Sequence, residues 1–175
     1  MTPPKPKLTF PMLDRLDRAA FVAALGGVFE HAPWVAEQAW EQRPFANLAT
    51  LHRVMAGVVA AAGRERQLAL IRAHPELAGA DAVAGALTAA SRQEQGSAGL
   101  STASGDEIAR FRELNRRYRD RFGFPFVMAV KGKSKAEILA AFAERLAQSP
   151  EAEFDRALAE IARIARLRLE TLIEA

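Results

Sequence analysis

The sequence predicts an all-α fold, and three observations carry that expectation. Alanine, leucine, arginine and glutamate dominate it, and all four are strong helix formers. Apolar residues recur at helical i, i+3 and i+4 spacing through nearly every segment. Helix-start signals recur as well: Ser104-Gly105-Asp106-Glu107 and Ser134-Lys135-Ala136-Glu137 both match the S-x-x-E capping box, in which two orphan amides are satisfied reciprocally. Together they point to a compact single-domain bundle of about seven to nine helices over residues 1–175. The proline- and lysine-rich residues 1–10 form a flexible lead-in to it.

The elements follow in order. A first helix is expected over residues 15–29, with Phe21, Val22 and Leu25 on one side, and a short second one over 33–42 with Trp34, Val35 and Trp40. Asn47 is a natural cap for a helix that Gly63 stops. The stretch "RERQLALIRAH" comes next and closes on His74-Pro75, because proline pushes the residue before it out of the α region. Residues 76–104 are rich in small side chains and have few large apolar anchors, so they read as short helices and irregular chain pressed onto other elements. Three well-punctuated helices complete the list, over 105–122, 134–147 and 150–174, the last with Ser149 as cap and Pro150 at its first position. Between the first two lies "FGFPFVMAVKGK", an irregular apolar segment near 123–132 that is too short to form a sheet by itself.

Composition excludes several function classes. There is no cysteine, which removes disulfides, thiolate nucleophiles and Cys-type zinc sites. The three histidines, His31, His52 and His74, form no HExxH-like pair, so no metal site is expected. A formal charge of +3 does not argue for a nucleic-acid partner. No apolar run approaches the ~20 residues a membrane helix needs, and the start lacks a signal-peptide core. The expectation is a cytoplasmic protein with no membrane contact.

Residues that break the helical pattern carry the functional reading. In the last helix Arg168 falls inside the apolar stripe of Phe154, Leu158, Ile161, Ala165 and Leu172. A buried guanidinium cannot lose its charge and needs an anion, supplied by a protein carboxylate or by a ligand, unless the long side chain snorkels out. Asn115 and Tyr118 interrupt the stripe of the 105–122 helix as core hydrogen bonders, while its arginines read as a solvated charged face. Ser91, Glu94 and Gln95 project from one side of a helix, as a solvated polar face or as a ligand-binding one. Amides in the apolar segment must find acceptors, in a neighbouring loop or on a ligand. His74 ends its helix with the one side chain whose ordinary pKa lies near neutrality. It is either a plain helix end or a group held at the mouth of a site.

Taken together, "EHAPWVAEQAWEQRPF", "LALIRAHPELAG", "SRQEQGSAGL", "LNRRYRDRFGFPFVMAVKG" and "EFDRALAEIARIARLRLETL" resemble the OHCU decarboxylases in order and spacing, from Leu8 to Ile173. These enzymes act on 2-oxo-4-hydroxy-4-carboxy-5-ureidoimidazoline in the last step from urate to S-allantoin. The resemblance implies that His74 is the catalytic histidine and that Glu94 is essential beside it. It further implies substrate contacts from Pro75, Ser91 and Gln95, from the backbone of Phe126, Val127, Met128, Ala129 and Val130, and from Arg168. It implies an all-helical, cofactor-free homodimer acting on a small ureidoimidazoline acid. The substrate so implied carries an imine beside its carboxylated carbon, so it supplies the electron sink that other decarboxylases borrow from a cofactor. His74 would then handle the proton transfer, Glu94 would orient His74 or hold the ureido group, and Arg168 would fork onto an anionic or carbonyl group. Two alternatives remain: a lyase or hydrolase on a related acid, and a non-enzymatic helical interaction module.

Overall fold

Ten α-helices and one 3-10 turn account for the regular structure among the described residues, 6–174, of the computed structural model. They gather into two compact units: residues up to Leu70 together with those from Ala162 on, and residues Ile71–Ile161.

The first unit holds α1 (Phe10–Arg15), α2 (Arg18–Leu25), α3 (Pro33–Trp40), α4 (Leu48–Ala61), most of α5 (Arg64–Arg72) and the C-terminal part of α10 (Pro150–Leu172). The helix expected over 15–29 is shorter, α2 alone from Arg18 to Leu25, and a separate helix, α1, precedes it and ends at Arg15. Asp17 prefers an extended N-cap conformation to a helix interior, and its Oδ1 accepts the Ala20 N–H at 2.8 Å to start α2. Asn47 starts α4 as expected, accepting the Thr50 N–H at 2.9 Å. Phe21, Leu25, Leu51 and Met55 are fully buried, with Phe21 stacked on Phe45 at 6.2 Å. The lead-in reading needs correction at Leu8, which forms a parallel bridge with Ile173: Leu8 N–H donates to Leu172 and its carbonyl accepts from Glu174, each at 2.8 Å. Residues 1–5 lie outside the described residues. Leu172, expected on the apolar stripe, is exposed.

The second unit holds α6 (Ala80–Val83), α7 (Ala89–Ser97), the 3-10 turn Leu100–Thr102, α8 (Gly105–Phe122), α9 (Lys135–Leu146) and the N-terminal part of α10. Both expected capping boxes form, at the starts of α8 and α9. Phe111, Tyr118, Phe126 and Phe142 make the aromatic core, with Phe126 and Phe142 stacked at 3.7 Å. The apolar segment 124–130 is neither helix nor strand, yet Phe124–Val127, Ala129 and Val130 are buried. On the solvent side of α8, Arg116 pairs with Glu113 at 2.7 Å and with Asp120 at 3.3 Å, so these charges serve one another. No helix among the described residues is long and apolar enough to cross a membrane.

Candidate active site

The site begins where α5 stops. His74 N–H donates to the Ile71 carbonyl at 3.2 Å, the last bond before Pro75, which has no N–H to continue the ladder. The imidazole is held in the protein rather than waving in solvent, with His74 only 7% exposed.

The loop that follows is fixed from two helices. Ala78 sits in the left-handed region at φ 49°, a conformation that costs a non-glycine residue ~1 kcal/mol. It is held there by Gln95 on α7, whose Oε1 accepts the Ala78 N–H at 3.0 Å while Nε2 donates to the Glu76 carbonyl at 3.3 Å. Asn115 on α8 donates from Nδ2 to the Leu77 carbonyl at 2.9 Å, and Arg119 on the same helix donates to the Glu76 carboxylate. Gly79 closes the loop because a Cβ there would lie 2.7 Å from the Glu76 Cβ. Sequence reasoning took Asn115 for a core hydrogen bonder. The structure gives it a specific task, holding the loop that carries His74.

The expected polar trio does lie on one helix. Ser91, Glu94 and Gln95 all belong to α7, which Thr88 starts by accepting the Ser91 N–H at 3.2 Å. Ser91 and Gln95 are buried and Glu94 is half-buried, so this is not the wholly solvated face that the isolated segment allowed.

The apolar segment 124–130 is tied from below. Val127 C=O accepts from Arg145 Nη1 at 2.7 Å, and Ala129 N–H donates to Glu160 Oε2 at 2.9 Å. Arg145 is itself buried against Glu153 at 2.9 Å, and the Tyr118 hydroxyl donates to that same carboxylate. Burial, then the bond to Glu153, pushes the Tyr118 hydroxyl pKa well above its ordinary value. None of Arg145, Glu153 and Glu160 was singled out from sequence. The signal was present: at about 100° per residue, Glu153 and Glu160 lie seven apart on the buried edge of α10, beside Ile164.

An open cavity of about 400 Å³ lies against these parts. Its walls include Arg72, His74, Glu76, Arg119, Phe124 and Pro125, so the histidine loop and the start of the apolar segment share one space. Arg72 Nε donates to the Gly123 carbonyl at 3.1 Å, which joins the end of α5 to the turn before the segment. Among the described residues no group of three or more histidine, aspartate or glutamate side chains gathers as metal ligands would.

Arg168 belongs to the first unit. Its Nη1 donates to Glu30 Oε2 at 2.7 Å and to the Gly27 carbonyl at 3.3 Å, with Arg168 and Glu30 6% and 2% exposed. The anion that a buried arginine requires is therefore present in the protein, a partner 138 residues away that no local pattern announces.

A family model for OHCU decarboxylase matches residues 14–170. The 2-oxo-4-hydroxy-4-carboxy-5-ureidoimidazoline decarboxylase of Haloferax volcanii is 45% identical over 93% of this chain and 95% of its own length. The mouse decarboxylase of the same name is 39% identical over 93% and 92%. The uric acid degradation bifunctional protein of Bacillus subtilis is 45% identical over 92% of this chain, which spans 32% of that longer protein. Among solved structures, an (S)-allantoin synthase superposes with a TM-score of 0.77 at 30% identity, over 95% of this chain and 54% of that one. The chain belongs to the OHCU decarboxylase family.

Proposed function

We propose that this protein decarboxylates 2-oxo-4-hydroxy-4-carboxy-5-ureidoimidazoline to (S)-allantoin without a cofactor, with His74 delivering the proton. The observation that carries the assignment to His74 is its burial in the wall of a cavity that an aromatic-rich segment and two arginines also line. Loss of CO2 breaks the bond from C4 to the carboxylate. The released pair forms a C4–C5 double bond while the former imine pair moves onto the ring nitrogen, which takes up a proton. The enol so formed becomes the carbonyl when a proton is added at C5 and its hydroxyl proton leaves, and the face that receives the C5 proton sets the hand of the product. Histidine is the side chain chemically suited to act as acid or base in such a step. Glu94, one turn from Ser91 on α7, orients His74 or holds the ureido group. Ser91, Pro75 and the backbone of 126–130 hold the rest of the substrate, and Gln95 fixes the loop beside it. Family resemblance supports a homodimer.

The intermediate is generated in situ from urate and its decay followed by optical rotation. Wild-type protein gives (S)-allantoin faster than the uncatalysed decay, which is racemic, and His74→Ala folds but loses both rate and handedness. A folded His74→Ala protein with near wild-type turnover overturns the assignment to His74. Racemic product at the uncatalysed rate with wild-type protein overturns the activity.

A further inference from the structure

We infer that Glu160 is a positioning residue for substrate binding, acting through the backbone of the apolar segment; the inference rests on the decarboxylase reading above. Val127 C=O and Ala129 N–H are two residues apart, and both are taken by side chains of the protein, Arg145 and Glu160. Met128 lies between these two anchored groups, and its own N–H and C=O stand outside that grip. Among the described residues neither of those Met128 groups has a hydrogen-bond partner, and Met128 is half-buried where its neighbours from Phe124 to Val130 are buried. One donor and one acceptor on a single residue match a cyclic ureide, whose N–H and C=O lie side by side.

The grip on Ala129 is the stronger for its surroundings. Glu160 is 2% exposed, so its carboxylate bonds the amide away from competing water. Its other oxygen, Oε1, accepts from Arg156 Nε at 3.0 Å, and Arg156 is half-exposed. One oxygen thus meets the exposed arginine and the other the Ala129 amide.

These separate bonds make the inference testable on the full-length protein. Glu160→Ala removes the acceptor, Glu160→Gln keeps a neutral one, and Arg156→Gln removes the ion pair while leaving the Ala129 bond. KM and kcat are measured with the in-situ intermediate, product affinity by calorimetry with (S)-allantoin, and hydrogen exchange at the Ala129 and Met128 amides by NMR. The expected result for Glu160→Ala is a KM raised about tenfold with a smaller change in kcat, together with faster exchange at Ala129. Glu160→Gln shifts KM about twofold, and Arg156→Gln leaves KM and exchange unchanged. Wild-type KM in folded Glu160→Ala overturns the inference, and so does an equal effect from Arg156→Gln. Should Glu160→Ala not fold, Glu160→Gln decides: faster Ala129 exchange with unchanged KM and unchanged (S)-allantoin affinity overturns it. If wild-type protein shows no turnover, the decarboxylase reading fails, while exchange at Ala129 still reports separately on the backbone grip.

Discussion

Gln95 and Ala78 meet through one hydrogen bond, Ala78 N–H to Gln95 Oε1 at 3.0 Å, and it holds a non-glycine residue in left-handed backbone four residues after His74. The other end of the same amide binds the Glu76 carbonyl, so a single side chain fixes the loop at two points. Buried polar groups left without partners cost ~1–3 kcal/mol each.

Gln95→Ala is therefore expected to lower the free energy of unfolding by ~1–3 kcal/mol, read from the urea midpoint, and to reduce turnover per folded molecule. Gln95→Glu is not a mild change. It keeps the acceptor for Ala78 but sets a carboxylate oxygen against the Glu76 carbonyl, so it is expected to be no more active than the alanine variant.

A second expectation concerns the buried pair Arg145 and Glu153, 3% and 1% exposed at their side chains. Arg145→Met strands the Glu153 charge and is expected to cost ~3–5 kcal/mol in urea unfolding. The double variant Arg145→Met/Glu153→Leu removes both charges and recovers a large part of that loss. A double-mutant cycle measures the coupling, and strictly additive single effects would show the pair contributes nothing jointly.

The pH dependence has two limbs. Glu107 is held below its ordinary pKa first by the Lys135 hydrogen bond and then by the Ser104 amide, and Glu137 first by the Ser134 amide. A depressed carboxyl pKa gives stability that is present above 4.5 and lost as pH falls through the folded-state value. The Tyr118 hydroxyl is raised, which gives stability present below pH 10 and lost as pH climbs beyond it. Thermal midpoints of the wild type are expected to fall at both extremes. Glu107→Gln/Glu137→Gln flattens the acid limb and Tyr118→Phe flattens the alkaline one.

Much of this architecture was legible because its determinants are local. Asn47, Ser104 and Ser134 each start a helix through a bond to an amide three residues on, and the starts of α4, α8 and α9 fall where those caps sit. The break at Asp17 is local too, but charged neighbours on both sides, Asp14, Arg15 and Arg18, made its capping role hard to single out. The placing of Ser91, Glu94 and Gln95 on one helix followed from their spacing, and the stop of α5 just before His74 followed from Pro75, while the burial of His74 did not. What stayed hidden depends on chain brought back from far away. Glu30 answers Arg168, Glu160 answers Ala129 and Asn115 answers Leu77, across 138, 31 and 38 residues. Helical periodicity marks such residues as misfits on a buried face but cannot name the group they will meet.

The bridge between Leu8 and Ile173 has a mechanical consequence. Two backbone bonds, Leu8 N–H to Leu172 and Glu174 N–H to Leu8, clasp the stretch before α1 to the end of α10. Neither stretch can fray without releasing the other, so local opening at one is coupled to local opening at the other.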